Sequence, residues 1–423
     1  MAGPAIRYWE FAQALSKHSD VTLSTPNVPD IQSETFTIKP RTMYSFLKEI
    51  PKADVIVTQL ISHGMAWIAK RHGIRIILDA YDPIPLEVLE IFKFSHSSVR
   101  NYKNQYIVNL FILSFQMADA FLCANIQQRD LWTGLLMGLK RITPNAYLAD
   151  PKLRDLIDIV PFGLSESRPK HSGNGLRKMF NLKETDKVIL WGGGIWNWFD
   201  PLTLIKAVNQ LALEGCPVHL VFMGIKHPNE AVGPMKMAAD AVQLAKDLNI
   251  FNKYVFFNFG WTPYQQRQDF LLDADIGVST HSEHLETRYA FRTRLLDYIW
   301  AGLPILATTG DSFSGMIESE KLGVVVPYED TQSIVQAIKK MLMDPILMQN
   351  MRDNLERIRS EFYWDTLVEP IERMTKELTS RPKKKMSFRD ARQVFSSFYA
   401  MRGPGAIYKK LLSIYYADTF SKK

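Results

Sequence analysis

Cysteine is nearly absent from this chain of 423 residues, and so are long apolar runs. Only Cys123 and Cys216 occur. Two isolated cysteines build neither a disulfide framework nor the paired spacing of a zinc site, so a reducing compartment, the cytoplasm, is expected. The most apolar stretch, Tyr106 to Cys123, is interrupted by Asn109, Gln116 and Asp119. The N-terminus lacks a signal peptide's charged-then-apolar layout, and no bilayer span is predicted. There is no internal repeat, and no low-complexity tract beyond Lys383-Lys384-Lys385. With 46% apolar and 22% charged residues, the composition excludes a disordered or fibrous chain.

A broadly spread basic charge is also missing. The formal net charge is +7, but residues 380–423 alone hold eleven Lys or Arg against Asp390 and Asp418, a surplus of nine. The rest of the chain is therefore slightly acidic, at −2. The basic character belongs to a tail, and nucleic acid is not an expected partner.

What is present is an alternation. Short apolar strands at Val21–Ser24, Val55–Thr58, Arg75–Leu78, Ala120–Cys123 and Ile157–Val160 are followed by Val188–Trp191, Val218–Phe222, Val255–Phe259, Ile276–Ser279, Ile305–Ala307 and Val324–Val326. Helical stretches separate them, which predicts α/β folding with parallel sheets. The length asks for two such Rossmann-like domains. Pro161-Phe162-Gly163-Leu164 and the polar stretch to Gly175 read as the linker. The expected organisation is a first domain over 1–164, a second over 165–362, a helix over 363–379 returning to the first, and a basic, aromatic tail over 380–423. The default ligand site is a cleft at the carboxyl ends of the strands.

The first domain has an irregularity at its start. Gly3-Pro4 leads into a helix with Tyr8, Phe11, Ala12 and Leu15 as its apolar stripe. A nucleotide-type domain needs a strand before that turn, and Met1-Ala2 leaves no room for one. The natural chain is expected to begin upstream of Met1.

Residues 286–311 carry the densest functional signal. Arg292 and Arg294 stand where a helix opens, an end whose unpaired N–H groups and positive dipole collect anions. Their forked donors suit a diphosphate. Leu295, Leu296, Ile299 and Leu303 form the core stripe, while Arg294, Asp297, Tyr298 and Ala301 form a second face with ligand-like chemistry. Asp297 can accept hydrogen bonds from sugar hydroxyls. The competing reading is a set of surface ion pairs.

Other candidates sit at strand ends. Gly192-Gly193-Gly194 permits close backbone approach and an anion nest, or simply a tight turn. Trp196 and Trp198 offer faces to a sugar or pack in the core. Gly260 and Trp261 can read a nucleobase edge or form an ordinary loop. His281, in Ser279-Thr280-His281-Ser282-Glu283-His284, can bond a sugar; a metal cluster there is the less favoured reading. Asp79 and Asp82 can serve an acceptor hydroxyl, with one of the two expected to cap the next helix.

Taken together, Gly3-Pro4-Ala5-Ile6-Arg7, Val160-Pro161-Phe162-Gly163-Leu164 and Leu296-Asp297-Tyr298-Ile299-Trp300-Ala301-Gly302-Leu303-Pro304 resemble the glycine loop, the second-domain entry and the "LEAMAxGxP" segment of bacterial family 4 GT-B glycosyltransferases. The resemblance covers nearly all of residues 3–379. It implies the GT-B fold, its two parallel sheets facing across a cleft. It also implies sugar transfer from a nucleotide-sugar with retention of configuration, and neither a metal nor a resident cofactor. The acceptor would be a saccharide or a lipid-linked saccharide, with the product a bacterial surface polysaccharide or glycoconjugate. With the residues read above, the expected catalytic set is Arg292, Arg294 and Glu286. Donor-binding residues are Gly193, Gly194, Gly260, Trp261, His281 and Asp297; acceptor-binding residues are Gly3, Arg7 and Asp82.

The chain departs from the family pattern in two further places besides the missing strand. Asp297 stands for the family's second glutamate, and Tyr289 occupies the position of the first, so Glu286 is the nearest acid. Gly194 and Phe199 replace the usual Arg and Lys after the first strand of the second domain, and Arg292 and Arg294 are expected to take over that role. The tail's Ile407, Tyr408, Leu411, Leu412, Tyr415 and Tyr416, offset from Lys409 and Lys410, form a stripe suited either to an anionic membrane surface or to packing on the first domain. The first reading would place the protein peripherally on the inner face of the plasma membrane. Fold alone also admits a nucleotide-sugar epimerase or hydrolase, or a non-catalytic nucleotide-sugar-binding protein.

Overall fold

A computed structural model describes residues 3–29, 31–42, 47–225, 233, 235–383 and 385–402. The chain forms two compact units, one of residues 1–17 and 161–368, the other of 18–160 and 369–423. The boundary differs from the expected 1–164 domain at the chain's start. Helix Gly3–Leu15 groups with the later half because its buried face serves that half: Arg7 Nη1 donates to Pro161 O at 2.8 Å, and Phe11 meets Trp364 edge-on at 5.6 Å.

Within the unit of 18–160 and 369–423, β1 (Thr22–Thr25) and β2 (Thr37–Pro40) make a separate parallel pair. The main sheet runs β3 (Val55–Thr58), β4 (Arg75–Asp79), β5 (Ala120–Cys123) and β6 (Ile157–Ile159), all parallel and in that spatial order. Every residue of β5 is buried, as expected of a strand covered on both faces. Phe111, Phe115, Phe121 and Trp132 form an aromatic core, with ring centroids 4.9 to 5.4 Å apart. Helix Glu369–Ser380 packs on β3, and Arg373 reaches Asp158 at 2.6 Å. Helix Phe388–Arg402 packs on helices His63–His72 and Ser97–Met117.

Within the other unit, six parallel strands lie in the order β12 (Gly323–Val326), β11 (Ile305–Thr308), β10 (Ile276–Ser279), β7 (Val188–Trp191), β8 (His219–Phe222), β9 (Val255–Phe257). The chain builds outward from β7 to β9, then returns to β10 and builds the other way. The carboxyl ends of β7 and β10 are therefore the switch point, where neighbouring loops diverge and leave a crevice. All four residues of β7, β10 and β11 are buried. Each large apolar side chain among them contributes about 1.5–3 kcal/mol through burial.

No helix among the described residues is long and apolar enough to cross a membrane. The stripe Ile407 to Tyr416 lies outside the described residues.

Candidate functional site at the switch point

Tyr298 organises the switch point from below. It is fully buried, its hydroxyl accepting from Gly192 N (2.8 Å) and standing within hydrogen-bond distance of the carbonyls Leu190 O (3.0 Å) and Val278 O (2.8 Å). The carboxyl ends of β7 and β10 are thus tied through one phenol, and burial pushes that phenol up to about 12, which keeps it protonated. Its ring lies so close to β10 that a Cβ on Gly277 would sit 2.6 Å from it, so no larger residue fits there. This corrects the reading of Tyr298 as part of a ligand face. The helix Thr293–Ala301 buries Leu295, Leu296 and Ile299 as expected, and Arg294, Tyr298 and Trp300 as well, because it is covered on more than one side.

The two arginines at that helix's start differ in kind. Arg292, the capping residue, forms a bidentate pair with Glu286, both bonds 2.8 Å, and also donates to Thr287 Oγ1 at 3.3 Å. Both partners are buried. Glu286 belongs to a short helix, Leu285–Tyr289, capped by His284. Arg294 is also buried, yet no carboxylate lies within ion-pair distance of it among the described residues. Its Nη2 donates to Gly194 O at 2.8 Å, and its Nη1 has no hydrogen-bond partner. Burial, aided by repulsion from Arg292, pushes its guanidinium down to about 10.

Phe199 explains how this cation is tolerated. The Arg294 guanidinium lies 4.0 Å from the Phe199 ring centroid and 4.6 Å from that of Trp191, while Arg292 lies 4.9 Å from Phe199. Aromatic faces attract cations without neutralising them. Phe199 stands where the family resemblance expects a basic residue, and it serves as a platform for charges brought from another helix. Gly193, at φ 124°, lies beside this group, with its Cβ position 3.9 Å from Arg294 Nη2.

Loops from the two central strands are clipped together around the site. Asp200 N donates to Thr280 O at 3.0 Å, and Thr280 Oγ1 donates back to Asp200 O at 2.6 Å. Asp200 also caps helix Pro201–Leu213 through Thr203 N. His281 is fully buried with both ring nitrogens engaged, Nδ1 with Thr308 Oγ1 (3.1 Å) and Nε2 with Asp311 (3.3 Å). Its expected bond to a sugar is corrected here: neither nitrogen is open to a ligand, and the ring braces the loop. Burial lowers its proton affinity, which the Asp311 bond only partly offsets.

Asp297, one turn past Arg294, accepts from Arg267 Nε at 2.9 Å. Arg267 is itself sandwiched between Tyr264 (3.6 Å) and Trp300 (4.4 Å). Gly260 is exposed after β9, its N–H donated to Asn258 Oδ1, and Trp261 is half-buried beside it. Trp196 and Trp198 stack on one another, 5.0 Å apart and 4° from parallel, with Trp198 buried.

The expected acceptor residues do not all behave as such. Arg7 is fully buried, held over the Phe11 ring and by Pro161 O, so it anchors the first helix instead of facing an acceptor. Gly3 opens that helix in the same unit. Asp82, in the other unit, accepts from Gln59 Nε2 at 2.8 Å. The helix after it is capped at Pro83 with no side-chain bond, so neither Asp79 nor Asp82 does the expected capping.

Sequence reasoning missed Thr280, Asp200 and Phe199 as builders of the site. Phe199's place in the glycine-rich loop was the one available signal.

Two parallel α/β units, with a cation at the switch point of one, define a GT-B-type protein. The chain matches the solved structures of sucrose-phosphate synthase from Thermosynechococcus elongatus (TM-score 0.62, 17% identity, 90% of this chain and 94% of that one). It also matches WaaG, a glycosyltransferase involved in lipopolysaccharide biosynthesis (0.59, 15%, 90% and 97%). HepE from Anabaena, solved in complex with UDP and glucose, matches as well (0.61, 13%, 90% and 98%). No curated protein sequence matches the chain. Residues 186–344 match the family model of glycosyl transferases group 1, so this stretch of the chain is similar to a group 1 glycosyltransferase domain.

Proposed function

We propose that this protein transfers a sugar from a nucleoside diphosphate sugar to a saccharide or lipid-linked saccharide acceptor, with retention, in the synthesis of a bacterial surface polysaccharide or glycoconjugate. The observation that carries the proposal is Arg294: a buried guanidinium, without a carboxylate, beside Gly193 and Gly194 at the switch point. Burying a cation unpaired is costly, and a site that keeps one is poised for an anion. A sugar diphosphate supplies that anion. A UDP-sugar is the donor we favour, supported by the UDP and glucose in the HepE complex.

In such a transfer the sugar carbon passes through an oxocarbenium-like state while negative charge grows on the departing diphosphate. A cation fixed before the reaction stabilises that charge more than it stabilises the ground state, which is the condition for acceleration. Arg294 takes this role. Arg292 is already neutralised by Glu286 and acts by holding the turn that presents Arg294. Asp297, fixed by Arg267, accepts from the donor ribose, and Gly260 and Trp261 face the base. Gly3 and Asp82 remain the acceptor-side candidates. The reading requires no resident metal or cofactor, since the nucleotide-sugar is a co-substrate and Arg294 provides the positive charge. It places the enzyme in the cytoplasm, on the inner face of the plasma membrane when the acceptor is lipid-linked, with the tail 380–423 as a contact to anionic lipid.

The test is calorimetric titration of the full chain with UDP, GDP and their common sugar conjugates, followed by turnover on the conjugate that binds. Binding of one of these nucleotides by the wild type, weakened in Arg294→Met, is the expected result. Undiminished binding by that variant overturns the assignment.

A further inference from the structure

Arg267 opens helix Arg267–Leu272 and is buried, yet aromatic rings hold it as much as hydrogen bonds do. Its guanidinium carbon lies 3.6 Å from the Tyr264 ring centroid and 4.4 Å from that of Trp300. Trp300 is fixed in turn by its indole N–H, which donates to Ser167 O at 2.7 Å. Aromatic platforms restrain a planar cation without consuming its N–H donors. Trp300 stands at the second alanine of the LEAMAxGxP pattern and Asp297 at its glutamate, so the platform and the shortened acid occur together in this chain.

Two of the three guanidinium nitrogens are occupied. Nε donates to Asp297 Oδ1 at 2.9 Å and Nη1 to Tyr264 O at 2.8 Å. Nη2 donates to no carboxylate or carbonyl among the described residues. Nε and Nη2 share one edge of a guanidinium and their N–H bonds run parallel, the geometry that grips both oxygens of a carboxylate. Asp297 takes only the first of these donors, and its Oδ2 accepts from none of the described residues. The Asp297 side chain is 28% exposed, so this unfilled half of the fork is open to a ligand.

A donor beside an open carboxylate oxygen receives a group that both accepts and donates. A hydroxyl does both: its oxygen accepts from Nη2 and its proton goes to Oδ2. A phosphate taken by Nη2 would face the charge of Asp297, and an ammonium taken by Oδ2 would face that of Arg267. The pair therefore selects a neutral hydroxyl.

We infer that Arg267 is a specificity-determining residue that touches the donor nucleotide, its Nη2 and Asp297 Oδ2 reading one ribose hydroxyl from both sides. This rests on the donor reading above, in which Asp297 accepts from the ribose, and adds that Arg267 also donates. The structural alternative is that Arg267 only neutralises Asp297 and Glu10, both of which act on it electrostatically. Lysine would serve that alternative equally, but it lacks the parallel donors of the fork.

The experiment is calorimetric titration of the full-length wild type, Arg267→Lys and Arg267→Met with UDP and GDP, each beside its 2′-deoxy and 3′-deoxy analogues. The wild type is expected to bind one nucleotide at least about 30-fold more tightly than one of its deoxy analogues, the scale of two hydrogen bonds to charged groups. In both variants that ratio should fall below about fivefold. The ratio is taken within each protein, so a general loss of affinity does not move it. The diphosphate contact at Arg294 is untouched, so both variants should still bind measurably. An unchanged ratio in either variant overturns the inference and leaves the donor reading standing. Loss of all binding in Arg267→Lys also overturns it, because one hydroxyl contact does not account for the whole affinity. Wild-type indifference to both deoxy analogues removes the ribose role of Asp297 and this inference with it. A wild type that binds neither nucleotide overturns the donor reading as well.

Discussion

Arg292 and Glu286 meet through two parallel 2.8 Å hydrogen bonds, buried, and six residues apart across the turn between two helices. Removing one partner leaves the other charge uncompensated, at a cost of about 3–5 kcal/mol. Glu286→Gln should therefore lower stability by roughly that amount. Glu286→Met/Arg292→Met, which removes both charges, should cost less than either single substitution. Urea unfolding of the wild type, Glu286→Met, Arg292→Met and the double variant gives the coupling directly; additive losses would mean the pair is not a unit.

Arg294 should show the opposite stability response. With no carboxylate to orphan, Arg294→Met is expected to be neutral or stabilising, while turnover falls at least about 100-fold, the scale for losing a positioned charge-stabilising group. The sign of the pH dependence follows from burial. The free protein holds the Arg294 proton less tightly than the usual arginine does, near pH 10, and a diphosphate bound as proposed would restore it. Nucleoside diphosphate affinity should then weaken as pH rises through about 10, in the wild type and not in Arg294→Met. Comparing the two proteins by calorimetry between pH 8 and 11 cancels any titration of the nucleotide itself; parallel curves would remove Arg294 from the site.

The sheets were readable in the sequence because they are buried on both faces. Val188–Trp191, Ala120–Cys123 and Ile276–Ser279 are continuous apolar or small runs, and each forms the strand expected of it. Thr37–Pro40 was not readable, since Ile38 is its only large apolar residue and its proline argues against a strand. At the site, one helical period located Leu295, Leu296 and Ile299 in the core correctly. It could not reveal that Tyr298 is buried too, because a polar-tipped aromatic reads equally as ligand face or as core with a satisfied hydroxyl. Nor does sequence show which arginine finds an acid. Arg292 and Arg294 are two residues apart and look alike until the turn after Tyr289 brings Glu286 to one of them. His281 was misread for the same reason: its brace, Asp311, lies thirty residues away on the far side of β11.

That brace gives a pH dependence of stability. Burial lowers the affinity of His281 for its proton below the ordinary value, so between that lowered value and about pH 6.5 the unfolded chain binds more protons than the folded one. The contribution of neutral His281 is fully present above about pH 6.5 and is lost as pH falls through its folded value. The wild type should lose melting temperature on acidification in that window more steeply than His281→Asn, which cannot titrate. Equal slopes in scanning calorimetry from pH 7.5 to 5 would show that the histidine charges without penalty.

Tyr298 provides the sharpest test of how the switch point is held. Its hydroxyl satisfies the N–H of Gly192 and faces two strand carbonyls, and all of these groups are buried. Tyr298→Phe keeps the ring against Gly277 and removes only the oxygen. A buried donor left without a partner costs about 1–3 kcal/mol, so the variant should fold but lose stability on that scale. Because Gly192 begins the loop that carries Gly193, Gly194 and Phe199, its release should also loosen the platform under Arg294. Amide exchange at Gly192 and its neighbours should therefore accelerate more than exchange in β5 of the other unit. Nucleotide affinity should fall together with it. A variant that loses stability while keeping both local protection and affinity would show that the phenol merely packs and does not position the loop.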